Sequence, residues 1–204
     1  MAETRKKADK RELILKAASE LFARFGYEKT TLDDIGERCR LNKASLYYYY
    51  KNKEDLFVAV VLVETEAFIQ ELQLQTQTLK NAEAKTLHYL VMRIKRYEEV
   101  LNATQLSLDR LQQVKPLFDQ LYQTIKDKEI LFLENILKEG ITEGELQAID
   151  TKMLAESLFI ISDALKQHFR LRARAYSGEQ FDYRASEEQL KLIIQLIFKG
   201  MKKV

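Results

Sequence analysis

The side chains with chemistry to offer are concentrated in one stretch, Thr30 to Leu56, which reads TTLDDIGERCRLNKASLYYYYKNKEDL. It brings together hydroxyls, ammonium groups and phenols. A lysine such as Lys43 can donate to guanine O6 and N7, and the hydroxyl of Ser45 or the methyl of Ala44 can meet a base edge or a thymine methyl. Tyrosine hydroxyls commonly donate to phosphates. Tyr47, Tyr48, Tyr49 and Tyr50 are consecutive. Successive residues of a helix point about 100° apart, so the four cannot all face one core. Leu46 and Tyr50, four apart, can point inward. At least one or two of the tyrosines must then be exposed, and adjacent exposed aromatics usually meet a partner. The plain alternative is an aromatic core stripe in one of the many helical pairs that only look like a nucleic-acid reader.

Other chemistry is thin. His88 and His168 are far apart and share no metal-ligand spacing with Cys39, the one cysteine. No Ser/His/Asp order, Gly-rich phosphate loop or HExxH helix is present. The expectation is therefore a non-enzyme with no catalytic residues, no metal and no cofactor. Cys39 reads as a small buried residue, and a single cysteine allows no internal disulfide and fits a reducing compartment. The opening MAETRKKADK is basic without a following apolar segment. The longest apolar run, Phe57 to Val63, is far short of a bilayer span. A cytoplasmic protein with no membrane partner is expected. Net charge is only +2, with a small positive excess before residue 57 and a small negative one after it. The basic residues Arg5, Lys6, Lys7, Lys10 and Arg11 read on charge alone as a solvated tail more readily than as a binding arm.

The elements that must hold these groups are helices. One proline and six glycines leave few breakers, and apolar residues recur at helical spacing nearly throughout. The prediction is an all-α protein. A first helix runs from about Asp9 to Phe25, with Ile14, Ala17, Ala18, Leu21, Phe22 and Phe25 on one stripe and Gly26 at its C-terminal end. Thr31, with Asp34 three residues on, caps a short helix over Leu32 to Arg38. After a turn, Asn42 caps a second one over Lys43 to Tyr49, and Asn52 caps a long helix from Lys53 to about Leu79. Further helices are predicted over Glu83–Leu101, Thr104–Gln113, Pro116–Glu139, Thr151–Ala175 and Glu187–Lys202. Pro116 is expected in a first turn, Asp150 as a cap, and Ser186 with Gln189 as a capping box. Ser177 to Arg184 reads as a loop. The two short helices form a helix-turn-helix, whose second helix enters the major groove with its N-terminal residues leading. The domains read as 1–55, helix-turn-helix, and 56–204, a larger helical domain.

The order and spacing of Phe22, Gly26, Tyr27, Thr30, Thr31, Asp34, Ile35, Leu41, Lys43, Leu46, Tyr47, Tyr50, Lys51, Lys53, Glu54 and Leu56 resemble the DNA-binding domain of the tetracycline-repressor (TetR) family. The match covers about Ile14 to Leu62, and LYYYYKNKEDL is its most specific part. The resemblance implies that Lys43, Ala44, Ser45 and Tyr48 face bases or nearby backbone, and that Thr31, Tyr47, Tyr49 and Lys53 hold phosphates. Two residues depart from the family pattern. Arg40 stands where the family usually has glycine in the turn; a non-glycine residue there costs about 1 kcal/mol, so either the turn differs slightly or a contact of Arg40 with the DNA backbone offsets that cost. Tyr49 stands where histidine is frequent, so sequence preference does not carry over.

The resemblance also implies a homodimer closed by the last two helices as a four-helix bundle. Leu154, Leu158, Ile161, Leu165 and Phe169 line one face of the first of these, and Leu190, Ile193, Ile194, Ile197 and Phe198 one face of the second. The alternative is an ordinary monomer core. By the same resemblance the middle helices enclose an effector pocket, with Phe68, Leu72, Leu90, Ile94, Tyr97, Phe118, Leu121, Tyr122, Ile125 and Phe159 as candidates, each of which also reads as plain core. An apolar or amphipathic small molecule would suit such a lining. The function implied is a ligand-responsive repressor, released from a palindromic duplex DNA operator as effector tilts the long Lys53 helix. The alternatives are a ligand-independent DNA binder and a helical interaction module.

Overall fold

The computed structural model describes residues 2–104, 108–173 and 183–202. Among them lie eight helices: α1 Ala2–Lys29, α2 Leu32–Cys39, α3 Lys43–Tyr49, α4 Lys53–Gln77, α5 Ala82–Thr104, α6 Leu108–Thr142, α7 Thr151–Ala173 and α8 Arg184–Met201. No strand occurs among the described residues; Leu146 and Lys202 form one isolated antiparallel bridge.

The chain divides into two compact units. The first comprises Met1–Glu66 and Leu101–Tyr122. Its core gathers Ile14, Ala17, Ala18, Phe22 and Tyr27 from α1, Ile35 and Cys39 from α2, Leu46 and Tyr50 from the α3 region, Leu56, Phe57, Val58 and Val60 from α4, and Val114 from α6. The cluster therefore extends well beyond residue 55. Phe22, Tyr27 and Phe57 meet at ring-centroid distances of 4.9 to 5.8 Å, a geometry favourable to aromatic pairs.

Local signals set the ends of these helices. Gly26 adopts φ 78° and ψ 165° and breaks the helical path inside α1, a conformation open essentially to glycine alone. The buried hydroxyl of Thr30 donates to the carbonyl oxygen of Gly26 at 2.9 Å, closing the break. Phe25, expected inward, is instead 45 % exposed, with the Arg24 guanidinium over its ring. Its position at the break turns it away from the stripe that Ile14 to Phe22 bury. Upstream, α1 begins before Asp9, because Ala2 to Ala8 holds no breaker and several good helix formers. The side chains of Arg5 and Lys6 lie outside the described residues.

Two expectations about the later helices are corrected. A break between Gln113 and Pro116 does not occur: α6 runs through Pro116 as one helix. Proline leaves the carbonyl of the residue four back, Gln112, without its helical donor. Gln112 and Pro116 are both exposed, so water can take that carbonyl. Ser186 is not the cap of the last helix. That helix starts at Arg184 after Tyr183, with no side-chain cap; Tyr183 is fully buried and edge-on to Tyr97, and that packing sets the start of α8. The loop expected from Ser177 falls mostly outside the described residues.

The second unit comprises Ala67–Val100 and Gln123–Val204. Asn81 and Asp150 cap α5 and α7 by accepting from the amides of Ala84 and Met153 at 2.8 and 3.0 Å. The stripe expected to face a second copy is mostly spent inside this unit: Leu158, Leu190, Ile194 and Phe198 are fully buried within the single chain. Leu154, Ile161, Leu165 and Ile197 are partly buried, and the Phe169 side chain lies outside the described residues. Among the described residues, the large apolar side chains that remain open on α7 and α8 are Met153 and Ile160, and Leu192 and Leu196, each 57 to 64 % exposed.

Candidate nucleic-acid interface

Residues of α2 and α3 assemble one polar, partly aromatic surface on the first unit. The α2 N-terminus is closed by a capping box: the Asp34 amide donates to the Thr31 hydroxyl at 3.1 Å, and the Thr31 amide donates to the Asp34 carboxylate at 2.8 Å. The Thr31 hydroxyl also donates to Asp34 at 2.7 Å. These bonds hold the Asp34 carboxyl below its ordinary pKa, and a phosphate at Thr31 would have to compete for that hydroxyl.

The turn follows from backbone geometry. Arg40 takes the left-handed conformation, φ 56° and ψ 39°, the position where a glycine would be unstrained. The Leu41 amide then reaches back to the Gly36 carbonyl at 2.8 Å. A Cβ on Gly36 would lie 2.7 Å from the Leu41 carbonyl oxygen, so the tight return of the chain toward α3 needs glycine there.

Asn42 caps α3 by accepting from the Ser45 amide at 2.8 Å. Leu46 and Tyr50 anchor it, 1 % and 5 % exposed. On the outer side stand Lys43, Ala44, Tyr47 and Tyr48, all exposed, with Ser45 half-buried. Tyr48 is the most open of the tyrosines at 69 %, against 47 % for Tyr47. Tyr49 instead leans on the first unit's core and meets Tyr48 edge-on at 5.2 Å. Arg40 is exposed beside this surface. Lys53 is turned inward: its ammonium lies 4.1 Å from the Tyr27 ring centroid and donates to the Glu28 carbonyl at 3.4 Å. Burial, only partly offset by Glu28 and Glu54, lowers its pKa. To hold a phosphate, Lys53 must leave the face of Tyr27.

Three neighbours, making two sets of contacts, were not singled out as site residues from sequence. Asp33 receives the Lys43 ammonium at 2.9 Å, and this bond raises the Lys43 pKa. Lys7, near the start of α1, places its ammonium 4.9 Å from the centre of the Tyr48 ring, and one turn on Arg11 donates to the Tyr50 hydroxyl at 3.2 Å. The basic character of residues 5 to 11 was the only sequence signal for the second contact. For the first there was none beyond an acidic residue ten positions before a lysine.

Ten residues were candidates for an effector pocket. Phe68, Leu72, Leu90, Ile94, Tyr97, Ile125 and Phe159 belong to the second unit, whereas Phe118, Leu121 and Tyr122 belong to the first. Phe118 packs against the core of the first unit and stacks on Tyr122, and Leu121 is 48 % exposed. The second unit has a polar centre that the apolar pattern concealed. Arg93 on α5 is almost fully buried and donates to Glu129 on α6 at 2.5 Å. Glu129 also accepts from the Tyr89 hydroxyl at 3.0 Å. Arg93 reaches Ser162 and Asp163 on α7, and its guanidinium lies 4.1 Å from the Phe159 ring centroid. Asp163 in turn holds Lys166 at 2.6 Å. Burial opposes the charge on Asp163, but Lys166 and Arg93 outweigh it and the carboxyl titrates below its ordinary value. Lys166 is lowered by burial and by Arg93, against the pull of Asp163.

Among the described residues no group of His, Cys, Asp and Glu could hold a metal ion, and no helix is long and apolar enough to cross a membrane.

Comparison with known proteins points to one family. Residues 14–60 match the family model described as "Bacterial regulatory proteins, tetR family". Over 182 residues, 83 % of this chain and 92 % of the relative, the sequence is 24 % identical to the HTH-type transcriptional regulator YhgD of Bacillus subtilis (strain 168). Over 47 residues, 23 % of this chain and 25 % of the relative, it is 47 % identical to IcaR of Staphylococcus epidermidis, the biofilm operon icaADBC HTH-type negative transcriptional regulator. A transcriptional regulator from Cytophaga hutchinsonii ATCC 33406 has a similar solved structure, with a TM-score of 0.76, 28 % identity, and coverage of 94 % of this chain and 98 % of that one. With the helix-turn-helix built as described and an all-helical fold behind it, residues 14–60 carry the helix-turn-helix of the tetR family of bacterial regulatory proteins, and the chain along most of its length is similar to transcription regulators.

Proposed function

We propose that this regulator binds duplex DNA by laying α3 in the major groove, with Lys43, Ala44 and Ser45 at base edges and Tyr47 and Tyr48 toward phosphates. The observation that carries the reading is the division of α3 into two faces. Leu46 and Tyr50 are buried as anchors, while Lys43, Ala44, Tyr47 and Tyr48 are left open on a helix fixed by its own cap. Arg40, Thr31, Tyr49 and Lys53 surround that surface as backbone contacts, the last after release from Tyr27. A double variant, Lys43→Ala with Tyr47→Phe, is expected to weaken binding to the preferred duplex far more than to a scrambled one, because it removes a base-edge donor and a hydroxyl that positions the helix on the backbone. Unchanged affinity with an intact fold would refute DNA recognition by α3.

The regulator acts as a homodimer, with two copies of α3 in successive major grooves about 34–36 Å apart on an inverted repeat. The open apolar residues of α7 and α8, Met153, Ile160, Leu192 and Leu196, support a two-fold contact there, adjoining the predicted stripe that the chain itself buries. The default output is repression, in keeping with IcaR, which is a negative transcriptional regulator. A small amphipathic effector held by the second unit relieves it. Its apolar part meets side chains such as Leu90, Ile94 and Phe159, and its polar part meets the Arg93 centre. Effector and operator must then oppose each other equally: the factor by which effector weakens DNA binding is the factor by which DNA weakens effector binding. A screen of amphipathic compounds by thermal shift, followed by DNA titration with and without each stabilising compound, tests this. An effect on DNA affinity without the reciprocal effect on compound affinity contradicts it.

A further inference from the structure

The ion pair between α2 and α3 has no evident structural purpose. Lys43 and Asp33 lie 2.9 Å apart with side chains 52 % and 66 % exposed, and a pair so open to solvent adds little to folding stability. It lies on the same outer surface as Ala44, Tyr47 and Tyr48. Lys43 is the first residue of α3, where the positive end of the helix disfavours a cation. The sequence of α3, KASLYYY, offers it no acidic partner, so its counter-charge comes from α2.

We propose that Asp33 is a specificity-determining residue, which together with Lys43 forms a paired reading head for a G·C base pair and withholds Lys43 from phosphates. This rests on the reading of α3 as the DNA-recognition helix. A phosphate close enough to accept from the Lys43 ammonium would also meet the Asp33 carboxylate, and like charges repel. A G·C pair satisfies both groups. Across its major-groove edge guanine N7 and O6 are acceptors for the ammonium, and the next group, the cytosine N4 amine, is a donor for the carboxylate. An A·T pair satisfies them less fully: the ammonium finds one acceptor, adenine N7, beside the N6 amine that the carboxylate takes, where guanine offers the ammonium two. Asp33 thus converts a lysine that would grip any backbone into one that discriminates.

The test uses the full chain and the duplex sequence that the wild-type protein enriches from a random library, with a scrambled duplex of equal length as reference. Asp33→Asn removes the charge at an exposed position and keeps the side-chain shape. It is expected to reduce discrimination at one G·C pair of each half-site by about five- to a hundredfold. Binding to the scrambled duplex should tighten, with the salt dependence steeper by about one phosphate contact. Asp33→Glu should retain part of the discrimination, and Lys43→Gln should lose it at the same base pair. If Asp33→Asn keeps wild-type selectivity at every position and the wild-type salt slope while Lys43→Gln loses specificity, Asp33 is a surface ion-pair partner only and the proposal fails. If the wild-type protein enriches no sequence, the recognition-helix reading fails and takes this proposal with it.

Discussion

At the scale of single residues, Arg40 and Asp163 have effects on stability that can be measured, the first unfavourable and the second favourable. Arg40 occupies left-handed backbone with a side chain other than glycine. Arg40→Gly is expected to stabilise the protein by up to about 1 kcal/mol, read from the midpoint of chemical denaturation. The same variant should flatten the salt dependence of DNA binding by about one contact if Arg40 touches the backbone. In the second unit Asp163 is the counter-charge for Lys166 and a secondary one for Arg93. Its pKa is lower in the folded protein than the unfolded value of about 3.9. Its contribution to stability is therefore complete above about pH 4 and is lost as pH falls through the folded value. Asp163→Asn should cost about 2 kcal/mol at neutral pH, with the wild-type and variant stability curves converging below pH 4. Parallel curves across that window would mean that Asp163 does not carry its charge in the network. Site residues were legible in proportion to how local their roles are. Lys43, Ala44, Tyr47 and Tyr48 could be placed outward because Leu46 and Tyr50 fix the phase of one short helix. Asp33 beside Lys43, Lys7 beside Tyr48, and Lys53 folded onto Tyr27 depend on approaches between elements, which no spacing rule reveals.

The same contrast governs the elements. Caps at Thr31, Asn42, Asn52 and Asp150 are written in three- or four-residue patterns, and each side chain accepts the amide the pattern assigns to it. Ser186 carries the same kind of pattern, yet burial of Tyr183 starts the helix earlier and leaves the Ser186 hydroxyl buried without a hydrogen-bond partner. Position in the chain could not distinguish the two outcomes. The apolar faces of α7 were ambiguous for a related reason. Leu154, Leu158 and Ile161 recur with helical spacing, but so do Met153 and Ile160, and only packing within the second unit decides which set is enclosed. Pro116 overturned a boundary because its cost, about 3 kcal/mol in a helix interior, is bearable where the freed carbonyl faces water. Pro116→Ala should restore that hydrogen bond and stabilise the protein by about 2 kcal/mol, the gain being reduced by the greater freedom of the unfolded chain. Thermal denaturation checks the sign; a lower midpoint would show that α6 uses the proline to hold its shape.

For the molecule as a whole, reading an inverted repeat needs two copies. Ile160 and Leu196 are 60 % exposed on neighbouring helices of the second unit, and charging both, Ile160→Glu with Leu196→Glu, should give a monomer by sedimentation velocity at concentrations where the parent is a dimer. The monomer should keep its helical content and lose the tight binding that an inverted repeat gives two linked heads. The claim on which the rest depends is that this dimer reads a specific duplex sequence. It is tested most directly by selecting bound sequences from a random duplex library with the purified protein at a stated salt concentration. Enrichment of an inverted repeat whose half-sites lie one helical turn, or a multiple of one, apart is the expected result. Recovery of no preferred sequence, from protein that is folded and dimeric, would contradict it.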